Sequence, residues 1–179
     1  MARIAIANDA VEGWRGSQRM EPVHDARRDF DFLHGKWTSR QRKLLKRLQN
    51  SDEWVEFEAT LECFPVLGDT GNVDFMRGTF PDGSPLDGMS VRLFDEERRL
   101  WRIYWAAQGS PEIFPPVIGG FENGAGHFEG EDVENGIPIK VTFDWTDITP
   151  TTATWTQAFS ADGGKTWEIN WVNTFTRAE

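Results

Sequence analysis

The chain of 179 residues has a single cysteine, Cys63. It can form no internal disulfide and no cysteine-based metal cluster. Histidine is scarce as well. His24, His34 and His127 are the three, and no two stand at a metal-ligand spacing, so no metal site is expected. No apolar run approaches the length of a membrane span. The first residues, MARIAIANDAVEGWRG, lack the apolar region of a signal peptide. These absences predict a cytoplasmic protein with no membrane partner. Positive charge is in deficit, 19 basic against 29 acidic residues, for a formal charge of -10. Nucleic acid is therefore not an expected partner, because phosphate contacts need a basic face. The one basic cluster, Arg40, Arg42, Lys43, Lys46 and Arg47, reads first as a solvated strand face and second as a local anion contact. There is no Gly-x-Ser-x-Gly elbow for a nucleophile and no glycine-rich strand–loop–helix for a nucleotide. Repeats and low-complexity tracts are missing too.

Aromatic residues are abundant: nine tryptophans and thirteen phenylalanines beside one tyrosine. Large rings fill wide interiors. From Phe30 onward, short runs of alternating polarity are separated by turn residues. Val55, Phe57, Ala59, Leu61 and Cys63 alternate with Glu56, Glu58, Thr60 and Glu62, the period of two of a half-buried strand. The same reading gives strands over Lys36–Leu48 and Asn72–Phe80, around Met89–Leu93 and Trp101–Ala107, and over Val117–Phe121 and Gly126–Glu131. Three more carry Val141 to Trp145, Trp155 to Phe159 and Trp167 to Arg177. About ten evenly spaced strands with short turns predict an all-β fold, a closed antiparallel up-and-down barrel. Residues 1–29 show no steady period. They read as an N-terminal extension, with a short helix around Pro22–Arg28 that lids one barrel end. Residues 30–179 read as one barrel domain.

Taking the apolar face of each strand as inward identifies polar intruders. They are Asn173 among Trp167, Ile169, Trp171 and Phe175, Gln157 between Trp155 and Phe159, and Arg77 beyond Val73 and Phe75. A buried polar group without a partner costs about 1–3 kcal/mol. Such groups either satisfy one another, hold water, or address the polar end of a ligand. Arg77, Gln157 and Asn173, with walls from Trp105, Trp155 and Trp171, form the candidate ligand site. The inward set holds no acid–base pair. Catalysis would need Tyr104, Arg102 or His127 to point inward. The first strand gives a warning about register, because Trp37 shares parity with Lys43. Ser160-Ala161-Asp162-Gly163-Gly164-Lys165-Thr166-Trp167 matches the Asp-box pattern of propellers, but a propeller needs several such boxes. A single copy reads as a hairpin with Asp162 capping the turn and Trp167 packed beneath it.

Phe30-Asp31-Phe32-Leu33-His34-Gly35-Lys36-Trp37 resembles the opening motif of lipocalins and other calycins. The resemblance implies that Trp37, after Gly35, plugs one end of the barrel. It also implies that Arg177, on the last strand, packs across the indole. Calycin-like haem barrels use a histidine in the C-terminal strands. None follows His127 here, and no cofactor is expected. The span from Asp29 to Arg177 further resembles the bacterial family DUF1579, through DFDFLHGKW, EWVEFEATLEC, GNVDF, RLFDEERRLWRIYW, PPVIGGFENGAGHFEG and ITPTTATWTQAFSADGGKTWEINWVNTFTR. That resemblance implies a lipocalin-like barrel and no mechanism. Three readings stay open. The first is a barrel that binds a small, largely apolar or aromatic molecule. The second is an enzyme in the same cavity, an isomerase, hydratase or hydrolase acting on a hydrophobic metabolite. The third is a structural barrel with a filled core, which pairs as a homodimer.

Overall fold

The computed structural model describes residues 24–178. Two single-turn 3-10 helices, Ala26–Arg28 and Asp31–Leu33, precede ten strands. The strands are β1 (Gly35–Leu44), β2 (Trp54–Val66), β3 (Gly71–Thr79), β4 (Pro85–Asp95) and β5 (Leu100–Ala107), then β6 (Val117–Glu122), β7 (Ala125–Glu134), β8 (Ile137–Thr146), β9 (Thr152–Ser160) and β10 (Glu168–Arg177). Each strand pairs antiparallel with its sequence neighbours, and β1 pairs with β10 to close the barrel. The predicted fold class is the observed one. No helix among the described residues is long and apolar enough to cross a membrane.

The turns follow from backbone chemistry. Asn123 and Gly124 join β6 to β7 with φ of 52° and 80°. Asparagine and glycine tolerate that left-handed region, and such a turn matches the twist of a hairpin. Closure leaves no free sheet edge.

One end of the barrel is packed shut. Phe30 sits edge-on to Trp101 at 5.1 Å and to Phe121 at 4.9 Å, and stacks on Phe128 at 5.7 Å. Trp101 Nε1 donates to Ala26 O, which fastens the first 3-10 turn over this end. Trp37 Nε1 donates to Leu33 O. The Arg177 guanidinium lies 4.1 Å from the Trp37 ring centroid. It also donates to the carbonyls of Phe32, His34 and Pro150, so one side chain ties the Phe32–His34 turn and the β8–β9 turn to β10. Gly35 adopts φ of +102°, and a Cβ there would lie 3.2 Å from Arg177 Nη1. Glycine thus lets the chain turn under the guanidinium. Residues 24–29 of the predicted extension lie at this end, and of the predicted Pro22–Arg28 helix Ala26–Arg28 forms a 3-10 turn; residues 1–23 fall outside the described residues.

The inward faces of β3 and β4 are the reverse of those expected. Asn72, Asp74 and Met76 point in from β3, and Leu86, Gly88, Ser90 and Arg92 from β4. Val73, Phe75, Met89, Val91 and Leu93 lie half-buried on the outer face. Alternation misleads here because the interior is polar. Arg92 donates to both Asp74 and Asn72, so two charges stay buried by pairing. A second departure lies on β10. A register shift between Ile169 and Trp171 turns Asn170 inward and leaves Ile169 exposed. This is the two-against-one count of a β-bulge. Trp167, expected beneath the Asp-box turn, is 39% exposed. The turn itself forms as read: Asp162 accepts from the backbone N–H of Lys165 and Thr166 and from the Thr166 hydroxyl.

Candidate functional site

The other end of the barrel is open. A cavity of about 270 Å³ runs inward from it. Its upper walls are aromatic. Trp155 stands edge-on to Trp171 at 5.7 Å, Trp105 to Trp171 at 6.4 Å, and Phe143 to Trp155 at 4.9 Å. Trp105 reaches this wall because its ring lies over Gly88, diagonal to it on β4. A Cβ on Gly88 would lie 2.1 Å from the Trp105 ring. Any larger residue there would push the indole off the wall.

The polar groups inside are of two kinds. Some are satisfied within the protein. Trp171 Nε1 donates to Gln41 Oε1, and Gln41 Nε2 donates to Ser39 Oγ, each at 2.7 Å. Gln157 Nε2 donates to Asn170 Oδ1 at 2.7 Å, so the bulge residue serves the expected intruder. Others have no partner among the described residues: Asn173 Oδ1 and Trp145 Nε1, both on residues that line the cavity. Asn173 is 2% exposed. An unmet acceptor so deeply buried is costly unless a bound molecule donates to it.

Lys43, like Arg47 at the same mouth, is a cavity residue that was expected on a solvated face. It lines the cavity from the end of β1, with Nζ 3.8 Å from the Trp171 ring centroid and 5.4 Å from that of Phe80. Burial holds its ammonium down to a pKa of about 8, and the Arg47 charge pushes the same way; Glu134 opposes. Glu134 is itself engaged by Arg47 Nη2 at 2.8 Å. Among the described residues, no carboxylate pairs with Lys43 within 4.0 Å. The signal in the sequence was the shared parity of Trp37, Ser39, Gln41 and Lys43, which puts all four on the inner face once Trp37 is the plug.

Arg92 closes the inner end of the cavity. Its guanidinium lies 5.1 Å from the Phe30 ring and 6.0 Å from the Trp145 ring, between the packed plug and the open half. Cys63 is buried beneath; desolvation pushes its thiol up to about 12, which makes it an inert thiol.

The structure brings five of the six predicted ligand-site residues, Trp105, Trp155, Gln157, Trp171 and Asn173, to one cavity. Arg77 is the correction. It points out of the barrel beside Asp87, with a side chain 63% exposed, because β3 has the opposite register. The three groups named as requirements for catalysis also lie elsewhere. Arg102 pairs with Asp95, and His127 sits on the surface between Asp144 and Glu129. Tyr104 stands opposite Val91 on the outer face.

No family model matches the chain, and no curated protein matches it, so the DUF1579 resemblance rests on its motifs. Among solved structures the chain is similar to the S-type phycobiliprotein lyase CPES from Guillardia theta. The two share 12% identity over 88% of this chain and 94% of that one, with a TM-score of 0.62. A redesigned β-barrel, mFAP0, solved bound to DFHBI, matches at 16% identity and a TM-score of 0.46, over 82% of this chain and 99% of that one. At 12% identity, what the chain shares with the lyase is the fold.

Proposed function

We propose that the barrel binds a small, largely apolar or aromatic molecule in its open half. The observation that carries this reading is the cavity of about 270 Å³, walled by Trp105, Trp155 and Trp171. Binding pockets are mostly apolar with a few placed polar groups, and range over about 300–1,000 Å³. This one falls just below that range, sized for one compact ring system. The unmet Asn173 Oδ1 supplies an orienting contact. Binding is favoured over chemistry because Lys43 faces aromatic rings, and of the rim carboxylates Glu134 is held by Arg47 and Asp132 accepts from Val133 N. General acid–base catalysis needs a proton donor and acceptor in reach of one substrate. Pairing of two copies is a secondary reading. It is supported by the outer row Val73, Val91 and Tyr104, which lies in register across β3, β4 and β5.

The test is a titration with N-phenyl-1-naphthylamine, a neutral aromatic probe whose emission rises on leaving water. The wild type is expected to bind it and to quench its own tryptophan emission. Ala107→Phe places a ring in the cavity mouth and is expected to weaken binding about tenfold or more while the far-ultraviolet spectrum is unchanged. Equal affinity of both proteins would place the probe outside the barrel and defeat the reading.

A further inference from the structure

We infer that the molecule this cavity takes is an anion: a small aromatic or apolar acid whose acidic group pairs with Lys43 at the mouth. The inference rests on the binding role proposed above and deepens it.

Three observations converge. The first is that Lys43 Nζ is directed into the cavity, over the face of Trp171, with no carboxylate within 4.0 Å among the described residues. A desolvated ammonium over an indole gains about 1–2 kcal/mol, far less than hydration or an ion pair would return. Its charge is therefore left for an incoming group to meet. A charge-assisted hydrogen bond to an oxyanion is about twice as strong as a neutral one.

The second is the state of the neighbouring charges. Arg47, from the β1–β2 loop, is held by Glu134 of β7. Glu131 and Asp132 of β7 are the other charged residues on the cavity rim; Asp132 Oδ1 already accepts from Val133 N. On either side of β1, the neighbouring strands β10 and β2 bring Trp171 and Val55 beside Lys43, so neither offers it a counter-ion. The aromatic walls alone would also suit a cation. Lys43 occupies the Trp171 face itself and repels one.

The third is depth. Asn173 follows Trp171 by two positions on β10, one inward step further down the barrel. At about 3.3 Å per residue the step is about 7 Å. A ring system with its acidic group on Lys43 can present an N–H or O–H to Asn173 Oδ1 at that depth, which meets the unpartnered acceptor.

The experiment compares two fluorogenic probes that share one skeleton. These are 8-anilinonaphthalene-1-sulfonate, an anion, and N-phenyl-1-naphthylamine, its neutral parent. Each is titrated at pH 7 into wild type, Lys43→Met and Lys43→Arg. The wild type is expected to prefer the sulfonate. Lys43→Met, which keeps the length of the side chain, is expected to weaken the sulfonate about tenfold or more and the neutral probe less than about twofold. Lys43→Arg retains the preference. If both probes bind and Lys43→Met weakens neither, or both alike, the anion inference is overturned while barrel binding stands. A wild-type preference for the neutral probe overturns it too. If neither probe binds the wild type, the binding role falls together with the inference.

Discussion

Asp74→Ala is expected to destabilise the protein by about 3–5 kcal/mol. Asp74 is 0% exposed and Arg92 3% exposed, and the two carry an ion pair inside the barrel. Arg92 has one other polar partner, Asn72 Oδ1 at 3.0 Å, and its Nε has none. Removing the carboxylate leaves a full positive charge buried against Phe30 and Trp145. The cost is the desolvation of that charge, not the strength of the pair. A double replacement shows the difference. Asp74→Leu with Arg92→Met exchanges the pair for apolar groups, and is expected to recover all but about 1 kcal/mol. Urea unfolding midpoints for the single and double variants check this. A single variant as stable as wild type would mean the guanidinium finds water or another partner. The pair matters to the site because it separates the packed end from the cavity. Its loss is expected to let the plug around Phe30 relax toward the open half.

Lys43→Met is expected to have the opposite sign, a gain of about 2 kcal/mol at pH 7. A lysine held at about 8 instead of 10.5 reports a charged form disfavoured by burial. That difference corresponds to about 3 kcal/mol, and loss of the contact with Trp171 returns about 1 kcal/mol of it. The sign with pH follows from proton counts. Below pH 8 the lysine is charged in both the folded and the unfolded chain, and folding bears the full cost. Between pH 8 and 10.5 the unfolded chain holds more protons, so wild-type stability rises with pH. Above 10.5 the lysine is neutral in both states and the advantage of the methionine variant vanishes. Denaturant unfolding of both proteins at pH 7 and pH 10.5 checks it. A constant difference across that range would remove the buried ammonium from the explanation. A residue that costs stability and lines a cavity fits a role in function.

Much of the barrel was legible because most strands keep a clean period of two. β2, β5 and β8 show their buried faces directly, in Phe57 to Cys63, Trp101 to Trp105 and Val141 to Trp145. Gly35, Trp37 and Arg177 were visible as a set through a resemblance, and the structure places the guanidinium over the indole. The candidate site was half legible. The tryptophans and Gln157 and Asn173 follow from the apolar faces of β5, β9 and β10. Arg77 was misplaced because β3 and β4 bury Asp74, Ser90 and Arg92 and turn Val73, Phe75 and Met89 out. Polarity assigns a face only while charges stay outside, and a mutual pair removes that constraint. The bulge at Asn170 hid the partner of Gln157 for a different reason, since one extra residue reverses every side chain before it. Lys43 belongs to a basic run that reads as surface, and only its parity with Trp37 opposed that reading.

The claim that the open half of the barrel holds a small molecule is tested most directly at the tryptophan indoles. The chain has nine, each with one Nε1–H resonance. On titration of 15N-labelled protein with N-phenyl-1-naphthylamine, the resonances of Trp105, Trp155, Trp171 and Trp145 are predicted to move together, because all four line the cavity. Those of Trp37 and Trp101, donating to Leu33 O and Ala26 O at the packed end, are predicted to stay in place. Shifts confined to Trp54 and the exposed Trp167, with the cavity indoles unmoved, would contradict binding inside the barrel.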